Sequence, residues 1–318
     1  GRNAPHGKNA GRKKGGFMLR IRFHGRGGQG IKTASQILGS AAFLSGYQAQ
    51  DFPLYGAERR GAPIVAFTRI HEGPILERGV IGNPDLILIG DETLVDDPIA
   101  APLGGAEAST RLFINSTHPA EALKDHFKLP MLPAALDLTA LCERHLQKGL
   151  VLSTALATAA ARITGMIERS RLREAIKTEL AQLGLGGEVV QRNLDLADET
   201  FDAISPSSFI QRGEEPLQGA ALLDMEQEEI RKSAPLILQP GNMALRKTGN
   251  WRIHHPAIDY DRCNACWICF ARCPDGAMGV GSDGKPVIDY DHCKGCLICA
   301  AECPLKAIEV SREVSSWE

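Results

Sequence analysis

The sequence of 318 residues is short of aromatic side chains, of net charge and of long apolar runs, and each shortage excludes a class of protein. Aromatic residues make up 5%, whereas apolar residues make up 43% and charged residues 23%, the balance of a folded globular protein. The formal net charge of -2 argues against a nucleic-acid-binding protein. No apolar run reaches the length of about 18 residues that a membrane span needs. We therefore expect no nucleic-acid partner and no membrane segment.

Cysteine is almost absent from the first four fifths of the chain. Cys142 stands alone there, and the other eight cysteines fall between Cys263 and Cys303. A secreted protein held together by disulfides would not leave so long a stretch nearly free of cysteine. Clustered cysteines indicate metal binding in a reducing compartment, so we expect a cytoplasmic protein. Cys142 lies in a helical pattern and is expected to be an inert buried thiol.

Changes in composition divide the chain into five segments. Residues 1–17 carry five basic side chains and no acidic one, and we expect a disordered leader or appended tail. Residues 18–205 alternate apolar runs with helical patterns, as in an α/β domain. Residues 206–257 are polar and rich in proline, which predicts an extended linker with one helix at 217–231. Residues 258–312 form a cysteine module of α+β type, and residues 313–318 form a tail.

Within the first domain, hydrophobic periodicity predicts the main elements. Residues 19–24 alternate like an edge strand, whereas the apolar run within 85–90 has no polar alternation, as in a buried parallel strand. Another strand is predicted at 111–115. Apolar residues recur at helical spacing in four further segments. The predicted helices are 28–45, 138–146, 150–164 and 167–183, and the third is expected to be buried.

The cysteine module is an internal duplication. Residues 258–263 recur as residues 288–293, and all four cysteines of the first run repeat at the same offset of 30 residues. Each run has the spacing C-x2-C-x2-C-x3-C-P of bacterial ferredoxins, in which the fourth cysteine binds the cluster of the other run. We therefore expect two [4Fe-4S] clusters. The ligands are Cys263, Cys266, Cys269 and Cys303 for the first cluster, and Cys293, Cys296, Cys299 and Cys273 for the second.

Structural zinc is the alternative interpretation of the cysteines. Zinc sites also use C-x2-C pairs, but they take four ligands in two pairs. Here each run offers three closely spaced thiols and a fourth before proline. The pattern occurs twice and favours iron–sulfur clusters.

A glycine-rich loop, Gly25–Gly30, follows the first predicted strand and opens a helix. It fits G-x-G-x-x-G, and Asp51 lies about 20 residues further on, where a dinucleotide-binding protein has its ribose-binding acid. Glycines also let backbone amides approach any phosphate at the positive end of a helix. A tight turn without a ligand remains open as an alternative.

Two adjacent arginines, Arg59 and Arg60, stand between glycines in the segment 51–63. Guanidinium groups in this setting suit an anion or a protein partner. A surface turn with ordinary ion pairs is the alternative. No Ser/His/Asp, Cys/His or paired-carboxylate arrangement stands out elsewhere, so we expect no catalytic residue in this chain.

Residues 18–30, together with 55–61, resemble the gamma subunit of 2-oxoacid:ferredoxin oxidoreductases. Residues 248–252, just before the first cysteine run, are similar to the start of the delta subunit of the same enzymes. The order gamma then delta matches a known type of fusion. The resemblance covers about residues 18–312 and is weak between 94 and 205 and across the linker.

The resemblance implies a role within a larger enzyme. Such enzymes decarboxylate a 2-oxoacid on thiamine diphosphate, pass electrons singly through [4Fe-4S] clusters and transfer the acyl group to coenzyme A. Thiamine diphosphate is held by alpha and beta subunits, and this sequence has no Gly-Asp-Gly motif with the expected asparagine. The chain is therefore expected to be inactive alone and to relay electrons to an external ferredoxin or a flavoprotein, with pyruvate as the first substrate to consider. The expected coenzyme A contacts are Arg26, Gly27, Gly28, Gln29, Gly30, Arg59 and Arg60.

Two other functions remain open from the sequence. A free-standing NAD(P)H:ferredoxin reductase would use the glycine-rich loop for a dinucleotide, but it would need a flavin, and no flavin motif is present. A scaffold that carries a ferredoxin module and binds no ligand in its α/β domain is the third possibility.

Overall fold

The computed structural model describes residues 18–54, 61–98, 100–147, 151–209 and 247–313. The predicted leader at 1–17, Arg59 and Arg60, the predicted helix at 217–231 and the residues after 313 lie outside these ranges. The described residues fall into two compact units, the first before and the second after the segment 210–246.

A six-stranded mixed sheet forms the centre of the first unit. Its strands are β1 (Leu19–Arg26), β2 (Gln48–Pro53), β3 (Pro63–His71), β4 (Leu86–Ile89), β5 (Arg111–Asn115) and β6 (Ala134–Leu136). They lie in the order β2-β3-β1-β4-β5-β6. β1, β4, β5 and β6 are parallel, and β3 runs antiparallel to both of its neighbours. The predicted strands at 19–24, 85–90 and 111–115 are confirmed.

The expectation that residues 19–24 form an edge strand was wrong. β1 lies inside the sheet, between β3 and β4. Its apolar side chains enter the main core, while the alternating basic side chains on the other face are covered by loops. Arg22 is buried there and donates to the carbonyl oxygens of Pro102 and Gly104, at 2.8 and 2.6 Å. Loop carbonyl oxygens thus replace water around Arg22, whereas the Nε2 atom of the buried His24 has no hydrogen-bond partner among the described residues.

Helices cover both faces of the sheet. They are α1 (Ile31–Leu44), α2 (Ala120–His126), α3 (Leu138–Leu146), α4 (Ser153–Thr164), α5 (Arg169–Gln182) and α6 (Gly187–Ala203). The main core combines α1 and α3–α6 with one face, and a smaller core with α2 covers the other. The predicted helices are present within two or three residues of their expected ends, and α4 is buried almost all round. None of the helices described could cross a membrane.

Sequence reasoning missed α6. Its buried face mixes Leu194, Leu196 and Ala197 with Asn193 and Thr200, so the apolar stripe is narrow. Thr154 on α4 donates to the Asn193 side chain at 2.6 Å, which satisfies the amide oxygen inside the interface. The helix is therefore held partly by polar contacts that periodicity does not register.

The second unit consists of the cysteine module. Its elements are β7 (His254–Ile258), α7 (Ile268–Arg272), β8 (Met278–Val280), β9 (Pro286–Ile288), α8 (Ile298–Glu302) and β10 (Ile308–Arg312). β7 pairs antiparallel with β10, and β8 pairs with β9. The predicted linker end at 257 was wrong, because β7 and the turn Thr248–Trp251 belong to the module. Glu313 also belongs to it, through an ion pair with Arg252 at 2.8 Å.

We predict that His24 makes the first unit less stable in acid. The side chain is buried, and burial lowers its pKa to about 3, with the neighbouring Arg22 as a second cause. Below the ordinary histidine pKa the unfolded chain binds a proton and the folded chain does not, so stability falls as the pH drops from about 6.5 towards 3. At pH 5 the loss from this residue is about 2 kcal/mol.

The measurement is urea unfolding of the wild type and of His24→Gln at pH 7 and pH 5. The variant should lose less stability between the two pH values, whatever its stability at pH 7. His126→Gln, on the exposed side of α2, serves as the control and should follow the wild type. Identical pH dependence in all three proteins would contradict the prediction.

Candidate functional site

The eight clustered cysteines line two cavities in two groups of four. The empty space at the two cavities is similar, about 370 and 360 Å³, and part of it is open to solvent. The first is lined by Cys263, Cys266, Cys269 and Cys303, and the second by Cys273, Cys293, Cys296 and Cys299. Each group takes three cysteines from one run and the last cysteine of the other run, the grouping that the spacing predicts.

The local backbone repeats between the halves. Trp267 and Leu297 precede α7 and α8 with positive φ angles of 63° and 64°, which turn each loop so that the third cysteine enters the helix. After each helix, a backbone N–H reaches the sulfur of the fourth cysteine. The amide of Ala277 donates to Cys273 Sγ, and that of Ala307 to Cys303 Sγ, both at 3.3 Å. Such amides stabilise a metal-bound thiolate, whose sulfur carries negative charge.

Burial acts against charged thiolates in the absence of metal. Burial raises the pKa of Cys299 to about 11, with Cys293 and Cys296 adding to the shift. Burial is also the largest cause of the raised pKa of Cys269 and Cys293. Because iron binds the deprotonated form, the positive charge of a metal centre would have to offset this cost. The four cysteines at each cavity would therefore be deprotonated together with the binding of metal.

The arrangement of the thiols also bears on the zinc alternative. The four cysteines at each cavity come as three from one run and one from the other. Structural zinc sites take their four ligands in two pairs. The three-plus-one grouping therefore favours iron–sulfur clusters.

The glycine-rich loop differs from expectation at Arg26. Its side chain is fully buried, and its Nε donates to Asp91 at 2.8 Å. The other guanidinium nitrogens donate to the Gly61 carbonyl at 3.3 Å and to Thr93 Oγ1 at 2.5 Å. The expectation that Arg26 contacts a phosphate was therefore wrong. The guanidinium group instead joins the ends of β1 and β4 to the turn before β3.

Most backbone hydrogen-bonding groups of the glycine-rich loop are also paired within the protein. The Arg26 N–H donates to the Gln29 side chain at 2.7 Å, and Gln29 is buried, so its side chain braces the loop. The Gly27 N–H donates to the Ala62 carbonyl at 2.8 Å, and the Gly61 N–H donates to the Gly27 carbonyl at 3.0 Å. These bonds place the loop beside the residues that directly follow Arg60. Gly28, which is exposed, and Gly30, which is half-buried, remain as accessible backbone.

Asp51 is not placed to bind a ribose near this loop. It pairs with Thr68 across β2 and β3, and Thr68 pairs with Ile21. Asp51 therefore lies level with Ile21, about 20 Å along the strand direction from Gly27 at about 3.3 Å per residue. Its carboxylate lies against Gly39 of α1, and burial followed by the charge of Glu179 raises its pKa.

Sequence reasoning missed two groups of residues that shape these sites. Asp91 and Thr93 hold Arg26, and a signal existed, because the carboxyl ends of neighbouring parallel strands meet at one sheet edge. Arg252 contacts the second cysteine run and forms an ion pair with Glu313. They are 61 residues apart in sequence, and no spacing rule joins them.

The chain is similar to known proteins over both units. Residues 20–203 match the family Pyruvate ferredoxin/flavodoxin oxidoreductase, and residues 255–304 match the 4Fe-4S dicluster domain. The Pyruvate/ketoisovalerate oxidoreductases common subunit gamma of Thermococcus litoralis is 38% identical over 186 residues, which are 58% of this chain and 96% of that protein.

One further relative and one solved structure match the same part of the chain. Pyruvate synthase subunit PorC of Methanothermobacter marburgensis is 35% identical over 192 residues, 60% of this chain and 99% of that protein. The crystal structure of pyruvate oxidoreductase subunit PORC from Thermotoga maritima superimposes with a TM-score of 0.50 at 29% identity, covering 58% of this chain and 96% of that one. This chain therefore extends well beyond the sequence it shares with each of them.

We predict that Arg26 acts as a structural ion-pair partner. Arg26→Met should destabilise the first unit by about 3–5 kcal/mol, because it leaves the buried carboxylate of Asp91 without its cation. Urea unfolding measures the effect, and Arg78→Met, which changes an exposed arginine, should be near neutral. A phosphate-binding role would show the opposite pattern, with unchanged stability and weakened binding of coenzyme A.

Proposed function

This chain belongs to the pyruvate ferredoxin/flavodoxin oxidoreductase family, and from that premise we propose that it is the fused gamma–delta subunit of a 2-oxoacid:ferredoxin oxidoreductase. In this role it relays single electrons from thiamine-binding alpha and beta subunits to an external ferredoxin or flavoprotein. The comparisons support a subunit of an oxidoreductase with a 4Fe-4S domain. Pyruvate is the first substrate to test, since relatives are named for pyruvate and ketoisovalerate.

The grouping of eight cysteines around two cavities carries the proposal. We assign Cys263, Cys266, Cys269 and Cys303 to one [4Fe-4S] cluster, and Cys273, Cys293, Cys296 and Cys299 to the other. Each cluster, when bound, takes up and releases one electron at a time. The residues of this chain hold the clusters, shield them and fix their separation.

The separation is set by two single-turn helices. Cys269 lines the first cavity and Cys273 the second, and α7 connects them. Four residues of helix rise by about 6 Å. Cys299, α8 and Cys303 make the same connection in the opposite direction. The backbones of the two linking cysteines are therefore only about one helical turn apart, which keeps the two cavities close neighbours for the transfer of an electron.

The chemistry on the 2-oxoacid would take place in partner chains. The sequence has no thiamine diphosphate motif, so we infer that this chain is inactive alone. Its first unit would then dock the alpha and beta subunits and help to hold coenzyme A. Because Arg26 and Gln29 are buried, the contacts we propose are the accessible backbone at Gly28 and Gly30 together with Arg59 and Arg60.

The geometry of the first unit weighs against the dinucleotide alternative. In a Rossmann fold the strand after the first helix lies parallel beside β1. Here the antiparallel β3 separates β2 from β1, and Asp51 is far from the loop. A free-standing NAD(P)H reductase is therefore the weaker candidate. Oxidation of NADH by the isolated chain would favour it over the proposed function.

We predict that Cys273→Ser alters the second cluster, although Cys273 belongs to the first run. Its electron paramagnetic resonance spectrum after reduction should change in the same component as that of Cys296→Ser. Cys263→Ser and Cys303→Ser should both change the other component. The comparison of these four variants, with iron content, tests the exchange of ligands between runs.

Grouping of Cys273→Ser with Cys263→Ser would show that each run binds its own cluster. Absence of iron–sulfur signals from the anaerobically purified wild type would overturn the proposed function itself. Electron delivery to ferredoxin by the assembled complex should fall sharply in Cys296→Ser, whereas substrate binding by the partner chains should not change.

We also predict that Arg59→Ala combined with Arg60→Ala weakens the use of coenzyme A. The KM for coenzyme A in the assembled complex should rise about tenfold or more, since each hydrogen bond to a charged group is worth about 1.5–3 kcal/mol. Size-exclusion chromatography checks that the complex is intact, and Arg78→Ala is the matched control. An unchanged KM for coenzyme A in an intact complex would show that these arginines do not bind coenzyme A and belong to an ordinary surface turn.

A further inference from the structure

The duplication in the cysteine module allows the surroundings of its two cavities to be compared position by position. The sulfurs of the fourth cysteines accept equivalent amide bonds of equal length, and the residues before α7 and α8 have nearly the same φ. The cavities also have nearly equal volumes. A difference in reduction potential between the two clusters must therefore come from residues other than these repeated ones.

One such residue is Arg252, which packs against the second run. Its side chain is 9% exposed, and its Nη1 donates to the carbonyls of Tyr290 and Cys293, at 2.7 and 3.0 Å. Its guanidinium carbon lies 5.1 Å from the centre of the Tyr290 ring. A buried cation is thus fixed to the backbone of the first ligand of the second cluster.

The second run is shaped to accept this arginine. A Cβ on Gly295 would overlap the His254 carbonyl oxygen and would lie 2.5 Å from Arg252 Cγ, so a side chain there would clash. The corresponding position in the first run is occupied by Ala265, with a similar positive φ. The glycine is therefore required by the close approach of the His254 carbonyl, and it also leaves room for the side chain of Arg252.

The counterion of Arg252 lies on the other edge of the guanidinium group. Glu313 accepts from Nε and Nη2 at 2.9 and 2.8 Å, while Nη1 faces the cysteine run. The positive charge is therefore nearer to Cys293 than the negative charge is. Because the pair is largely buried, solvent screens it less than a surface pair.

The other charged groups near the cavities are more evenly balanced. Lys294 lines the second cavity, but Asp275 lines it too, with the two charged atoms 2.6 Å apart. In the first half, the side chain of Arg262 is 44% exposed and is shared by Asp259 and Glu309, at 2.5 and 2.7 Å. Solvent and two carboxylates weaken its effect on the first cluster.

We infer that Arg252 raises the reduction potential of the cluster held by Cys273, Cys293, Cys296 and Cys299 above that of its duplicate. The inference rests on the proposed function, because it requires both clusters to be bound. Reduction adds one negative charge to a cluster, and a fixed cation beside it stabilises the reduced form. An electron that enters the module would then reside mainly on the second cluster.

The test is a redox titration of the full chain, purified without oxygen and followed by electron paramagnetic resonance. Arg252→Gln should lower the potential of one cluster by about 59 mV, which corresponds to a tenfold change in a one-electron equilibrium. Glu313→Gln should raise the potential of the same cluster, because it leaves the cation unbalanced. Arg252→Lys should retain most of the wild-type potential, and Arg262→Gln should leave both potentials close to those of the wild type.

The opposite shifts separate tuning from a structural role, since a general gain in solvent exposure would move the potential in the same direction in both variants. Cys296→Ser identifies which signal belongs to the second cluster. If Arg252→Gln does not retain iron, Glu313→Gln keeps the arginine and carries the test. Full iron content with both potentials unmoved by Glu313→Gln and Arg252→Gln would overturn the inference, while absence of clusters from the wild type would overturn the proposed function.

Discussion

The cysteine module depends on its metal ligands because it has almost no hydrophobic core. Apart from proline, its buried apolar side chains among the described residues are Ala277, Met278, Ala307 and Ile308. So small a core cannot offset the conformational entropy of the chain. Thiolate–iron bonds would supply the missing free energy, and the proposed exchange of Cys273 and Cys303 would make each half depend on the other. The same bonds would thus determine both the stability of the module and the path of the electron.

The first unit, by contrast, is stabilised by a large hydrophobic core. Its sheet is covered on both faces, and the buried side chains of Arg22 and Arg26 donate hydrogen bonds to groups inside the fold. The glycine-rich loop uses most of its hydrogen-bonding capacity to join β1 to the turn before β3. A loop that is fixed in this way is rigid, and a rigid loop can present the few groups that remain accessible in a constant position. Docking of partner chains and a coenzyme requires such a surface.

The sequence was most informative where a function requires a fixed spacing. Cluster geometry dictates the intervals between cysteines, so the grouping of eight side chains into two sets could be predicted from those intervals alone. The same reasoning failed for Arg26 and Asp51, because a motif specifies residue types but not their partners. Asp91 is 65 residues from Arg26, and β7 pairs with β10 about 50 residues further on. Long-range pairing decided the linker boundary, the internal position of β1 and the burial of the loop arginine.

The two halves of the module show the same division between local and long-range determinants. The ligand spacing is local and was copied by duplication, so it makes the halves alike. The turn that carries Arg252 lies before the first repeat, and Glu313 lies after the second. Arg252 nevertheless packs against the second half, and Glu313 acts on that half through its ion pair with Arg252. Residues outside the repeat are therefore the ones that can give the two clusters different reduction potentials. In an electron relay, the electron then resides mainly on the cluster with the higher potential.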